Sequence, residues 1–118
     1  MGKNKINVLG TEYTLEYHDI DTDKKLDDNE GYTDLYNKLI VIGNIEQREY
    51  FKNENKKKIR KVQNKILRHE IVHAFLYESG LCENSNRSYS WSENEEMVDW
   101  FAIQSPKIFE IYKNLNIL

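Results

Sequence analysis

The sequence predicts an α+β fold in which a small antiparallel or mixed N-terminal β-sheet is followed by three helices. Two changes of pattern carry that prediction. Residues alternate apolar and polar in the first third, and from about Asn55 the apolar repeat lengthens to that of a helix. A length of 118 residues matches one ordinary domain, residues 1–118, built round one core.

Ile6 to Leu9 and Tyr13 to His18 alternate on either side of Gly10-Thr11 and read as a hairpin, with Tyr13, Leu15 and Tyr17 on one face. Lys38 to Ile42 is a β-branched run ended by Gly43-Asn44, which makes it a third strand. Ile59, Val62, Ile66, His69 and His73 then follow one another at steps of 3, 4, 3 and 4, a single helical stripe that Ser79-Gly80 terminates. Glu83 to Ser92 is polar and turn-forming, hence a loop. Ser92 is placed to cap a second helix reaching about Gln104, with Met97, Val98, Phe101 and Ala102 as its apolar contacts. Ser105-Pro106 reads as the N-cap and first residue of a third helix, because the N–H that proline lacks would be unpaired there anyway.

A hydrophobic fraction of 39% with 12% aromatics suffices for a core and excludes a wholly disordered chain. Cys82, the only cysteine, cannot form an internal disulfide. No stretch approaches the roughly 18 apolar residues of a membrane span, and MGKNKINVLG lacks the apolar run of a signal peptide. The expectation is a soluble cytoplasmic protein without membrane contact. The net charge of -3 conceals a segregation, since Phe51 to Glu70 holds 8 basic residues and 2 acidic ones. Nucleic acid is a conceivable partner for that basic face, but a solvated helix surface is the preferred reading.

Residues four apart on a helix lie almost one turn above each other, so the imidazoles of His69 and His73 can converge on one ion. Zinc is the expected cofactor. Glu70, one residue after the first histidine, is the candidate general base for a metal-activated water. A catalytic zinc needs a third protein ligand, and Glu95, Glu96 and Asp99 are available downstream. Glu95 and Asp99 share a helix face, so Glu95 is the expected ligand and Asp99 the acceptor of a histidine's remaining ring N–H. Glu96 is the alternative ligand, about 100° further round the helix.

Together, His69 to His73 and Asn94 to Asp99 resemble the glutamate-ligand zincins, whose pattern is HExxH followed by NExxxD. More closely, the HEIVHAFLYESGL and NEEMVDWFAIQ segments resemble the compact metallopeptidases of phages and mobile elements of the ImmA/IrrE type. The resemblance implies a minimal zincin-like domain with His69, His73 and Glu95 as ligands, Glu70 as catalytic residue and Asp99 behind the ligands. It also implies an intracellular peptidase acting on a protein or peptide, such as the transcriptional repressor of a mobile element. Met97 to Ala102 depart from that group's usual E-A-N/D-x-F-A segment.

Other readings compete for the remaining signals. Asp19 to Glu30 places acids at positions 1, 3, 5, 9 and 12 of a calcium-loop template, but Lys24 stands where the turn wants glycine, and an acidic connection is preferred. Tyr32, Tyr89 and His18 are candidates for stabilising an oxyanion, and Tyr89 and Trp91 for lining a cleft. The edge of the Lys38 to Ile42 strand is the expected place for an extended substrate. The rival functions are a metal hydrolase acting on a non-peptide substrate and a non-enzymatic regulator binding nucleic acid through the basic helix.

Overall fold

The computed structural model describes residues 4–81 and 91–118. Strands β1 (Asn4–Val8), β2 (Thr11–His18), β3 (Gly31–Asp34) and β4 (Leu39–Gly43) form one mixed sheet in the order β1-β2-β4-β3. Two helices, α1 (Lys56–Glu78) and α2 (Glu95–Asn114), complete an α+β architecture among the described residues. Neither is long and apolar enough to cross a membrane.

The expected hairpin is present as β1 and β2, antiparallel with Ile6 opposite Tyr13. The segment KLIVI supplies β4, but it pairs parallel to β2 and antiparallel to β3. It therefore lies inside the sheet, and the expectation that a substrate could use its edge is corrected: the edges belong to β1 and β3. Strand β3 was not anticipated. Its four residues are too few to display a period, although Asp34 to Lys38 is turn-like in composition. Asp34 accepts from the backbone N–H groups of Tyr36 and Asn37 and so closes the β3–β4 turn.

One sheet face carries Tyr13, Leu15, Ile40 and Ile42, all buried with Ile59, Ile66 and Ala74 of α1. The deepest line on α1 is Ile59, Gln63, Ile66, Glu70 and Ala74, one step round from the stripe expected through Val62, His69 and His73. Two polar side chains thus lie on the core seam, and both are satisfied. Gln63 donates to the Gly43 carbonyl at 3.0 Å, and Glu70 accepts from Thr33 of β3. At Gly31 a Cβ would stand 2.8 Å from Ile66 Cγ2 and 2.9 Å from the Val41 carbonyl oxygen, so glycine is what allows α1 to lie this close to β3.

Near the other end of α1, Glu78 accepts from Tyr13 Oη at 2.7 Å, Lys38 Nζ at 2.9 Å and Thr11 Oγ1 at 3.1 Å. The Tyr13 bond is the chief reason its carboxyl lies below the ordinary glutamate range. The sheet thereby fixes α1 at both its middle and its end.

Local chemistry explains the helix boundaries. Asn55 caps α1 by accepting from the N–H of Lys58 at 2.8 Å, and Gly80, at φ +91°, follows its last turn. Asn94, instead of the expected Ser92, caps α2 by accepting from the N–H of Met97 at 2.8 Å. The expectation of a third helix is also corrected, since α2 runs unbroken through Pro106. Proline cannot donate to the carbonyl four residues earlier, which would leave Ala102 O without its helical partner. Arg68 of α1 replaces the missing donor: its Nε reaches Ala102 O at 2.6 Å. One guanidinium both permits the continuous helix and ties α2 to α1, a long-range compensation that no local pattern announces.

Candidate metal centre

Antiparallel packing of the start of α2 on the middle of α1 brings His69, His73 and Glu95 together, with one ligand atom from each lying within 4.8 Å of the others. Glu95 Oε1 stands 2.8 Å from His69 Nε2 and 3.1 Å from His73 Nε2. The outer ring nitrogens are engaged elsewhere. His69 Nδ1 is 3.2 Å from Asp99 Oδ1, and His73 Nδ1 is 2.6 Å from the backbone carbonyl of Ser92.

These partners dictate the proton positions. A carbonyl only accepts, so His73 carries its proton on Nδ1, and the carboxylate of Asp99 asks the same of His69. Neutral imidazoles with those tautomers point their Nε2 lone pairs at an ionised carboxylate. Three lone-pair donors then face one another, an arrangement that demands either extra protons or a cation between them. Two imidazole nitrogens and one carboxylate oxygen are a donor set suited to zinc. The observed separations of 2.8 and 3.1 Å are somewhat tighter than the roughly 3.3 Å edge of a tetrahedron with bonds of about 2.05 Å.

The residues singled out from the sequence thus divide by position. His69, His73 and Glu95 converge, and Asp99 stands behind His69. Glu96 is exposed and lies outside the cluster. Ser92, expected as a cap, is 3% exposed and instead offers its carbonyl to His73. Asn94, which precedes Glu95 in the NExxxD pattern, serves as the cap that begins α2 and so sets the rotation at which Glu95 and Asp99 face α1.

Glu70 is 7% exposed, lies next to His69 on α1 and lines the same cleft as the cluster. Burial raises its carboxyl above the ordinary glutamate range, against the pull of the Thr33 hydroxyl and the two imidazoles. Thr33 Oγ1 donates to Glu70 Oε1 at 2.8 Å. Sequence reasoning missed Thr33 because it missed β3, and the only available signal was the turn composition between it and KLIVI.

A cleft of about 570 Å³ opens over this cluster. The edge strand β3 and the Asp28 to Glu30 segment form one wall, and the first turn of α2 forms the other. Lys65 and Tyr77 extend the floor along α1.

The remaining candidates are engaged in hydrogen bonds: Tyr32, which lines the cleft, donates its hydroxyl to Asp23 Oδ2 at 2.6 Å, and His18 is held between Glu16 and Asp23. The acids of the calcium-loop template do not converge. Asp19 holds Asn44, Asp23 holds His18 and Tyr32, and Glu30 pairs with Arg48 and Tyr50, which fits an acidic connection. Cys82 and Tyr89 lie outside the described residues. No protein-family model, curated protein or solved structure matches the chain.

Proposed function

We propose that the protein is a zinc-dependent hydrolase, and specifically a peptidase, with His69, His73 and Glu95 holding the metal. The observation that carries this reading is the convergence of three lone-pair donors whose outer nitrogens are braced by Asp99 and the Ser92 carbonyl. When bound, the ion would act as a Lewis acid that makes water more acidic and polarises a carbonyl.

The chain's own groups supply the rest. Glu70, held by Thr33 beside the cluster, accepts a proton from the attacking water and delivers it to the leaving amine. The edge strand β3 borders the cleft, so an extended peptide can add to the sheet there and lie across the cluster. A flexible segment of a protein substrate, such as a transcriptional repressor, satisfies that geometry. The exposed basic turns of α1 do not line the cleft except through Lys65, and they add nothing specific to a nucleic-acid reading.

The test is to load the purified chain with zinc, incubate it with a library of unstructured peptides and identify new termini by mass spectrometry. Cleavage that a chelator stops and zinc restores is expected. Failure to take up zinc at stoichiometric levels would sink the proposal. Stoichiometric zinc without peptide cleavage would leave the metal centre standing and redirect the search to non-peptide bonds.

A further inference from the structure

The second half of α2 presents an apolar face that the rest of the described chain does not cover. Val98 and Ala102 are fully buried, but no residue of α2 beyond Ala102 is buried. Phe109 is 54% exposed, Ile111 57%, Tyr112 40% and Leu115 63%. Val98, Phe101, Ser105, Ile108, Tyr112 and Leu115 nevertheless continue one heptad seam at steps of 3, 4, 3, 4 and 3. Phe109 and Ile111 flank it. The seam shares Val98 with the buried start of α2 and from the 41% exposed Phe101 onward runs in solvent.

Charge is segregated with the same regularity. Lys107, Glu110 and Lys113 all fall on the far side of the helix, and neither the seam nor its flanks beyond Ala102 carries a charge. A partner with a charged face would bury unpaired ions there, so the complement must itself be an uncharged apolar stripe. This chain carries one of matching length and spacing. The steps 3, 4, 3 from Ser105 to Leu115 read the same in reverse. An antiparallel copy therefore places Ser105 opposite Leu115 and Ile108 opposite Tyr112, each layer pairing a smaller side chain with a larger one.

From these observations we infer that the exposed half of α2 is the interface of a twofold dimer, each copy laying its seam antiparallel on the other's. Phe101, Phe109, Ile111, Tyr112 and Leu115 each expose on the order of 100 Å². With Ile108 that comes to roughly 550 Å² per partner, below the roughly 800 Å² of a standard interface and in the range of a weak, concentration-dependent dimer. A twofold contact uses the same patch on both copies and closes, leaving no stripe for further addition. The inference does not depend on the metal centre.

The test is sedimentation of the full chain across the micromolar to submillimolar range, with Tyr112→Glu and Leu115→Lys as variants. The parent is expected to dimerise, and each variant to dissociate at least about tenfold more readily while keeping the parent's helical circular dichroism. In a Cys82→Ser background, Ser105→Cys combined with Leu115→Cys should form a disulfide between copies, which fixes the register. A parent that stays monomeric throughout that range overturns the inference. A dimer indifferent to both variants places the interface elsewhere and overturns it equally. Partition of the monomer onto neutral phospholipid vesicles, abolished by Leu115→Lys, would assign the stripe to a lipid surface instead.

Discussion

Two histidine clusters stand close to opposite faces of the same sheet, and they differ in what surrounds the imidazoles. On the outer face His18 has a carboxylate on each nitrogen, Asp23 Oδ2 at 2.7 Å from Nδ1 and Glu16 Oε1 at 2.7 Å from Nε2. A doubly protonated ring donates in both contacts, one proton to each carboxylate. At the α1–α2 junction two rings share one carboxylate oxygen and spend their outer nitrogens on Asp99 and the Ser92 carbonyl. With neutral rings the Nε2 lone pairs there face a carboxylate, so the cluster calls for extra protons or a cation. Proximity of histidine to acid is common to both, and the proton count separates an ion pair from a candidate cation site.

Zinc stoichiometry should expose the largest difference between them. About one zinc per chain is expected for the parent and for His18→Ala, whereas His69→Ala or His73→Ala should abolish it by removing one of three protein ligands. Elemental analysis after dialysis reads this directly, and full occupancy in the His69→Ala/His73→Ala double variant would place the metal elsewhere. The next effect is kinetic. Glu70→Gln keeps the shape of the side chain but removes the base, so turnover should fall about 10²- to 10⁴-fold with zinc retained. Near-parental turnover on a cleaved peptide would remove Glu70 from its assigned role.

Smaller effects resolve the second motif. Glu95→Ala should lose zinc, while Asp99→Ala should retain it about 10- to 100-fold more weakly because Asp99 touches only a ring N–H. Glu96→Ala, exposed and outside the cluster, should match the parent. Ranking the three against a chelator of known affinity checks the order, and Glu96→Ala proving the weakest binder would mean that α2 is rotated by one residue. Arg68→Leu should cost about 1 to 3 kcal/mol in a denaturant titration, since it leaves the part-buried Ala102 carbonyl without a donor. If Pro106→Ala restored the lost stability, the compensation between the two residues would be demonstrated.

What could be read in the sequence follows the range of the interactions. The i, i+4 spacing of His69 and His73, and of Glu95 and Asp99, puts each pair on one helix face, and periodicity reports that directly. Their meeting across α1 and α2 depends on Arg68 and on the close approach at Gly31, contacts between residues far apart in the chain. The two-helix outcome shows the same limit. Pro106 carries a strong local stop signal, yet an arginine 38 positions earlier supplies what the proline removes. Strand β3 escaped because four residues between a turn and an acidic connection hold too little pattern, and Thr33 went with it. Strand β4 was found, but its place inside the sheet was not, because pairing partners leave no trace in a single strand's composition.

The smallest expected effect tests the outer cluster. Burial lowers the His18 pKa, but the hydrogen bonds to Glu16 and Asp23 outweigh it, and the net direction is upward from 6.5. Lys25, Tyr32 and Asp34 lie beside this pair among the described residues, with Tyr32 donating to the same Asp23 oxygen and Lys25 lying 5.1 Å over the Tyr32 ring and 4.0 Å from Asp34. A group whose folded pKa is raised stabilises the fold fully below its unfolded pKa, and that contribution fades as pH climbs through the folded value. His18→Gln should therefore lower Tm by a few degrees at pH 6, corresponding to about 1 kcal/mol for a partly exposed ion pair, and the gap to the parent should close toward pH 9. Asp23 does not confuse this window, because its own pKa is lowered from 3.8 and it stays ionised throughout. Adding a chelator should leave the His18→Gln gap unchanged, since this cluster has no place for a cation. A gap that widens with rising pH would mean that the folded protein keeps His18 neutral, and the contrast in proton count between the two clusters would fail.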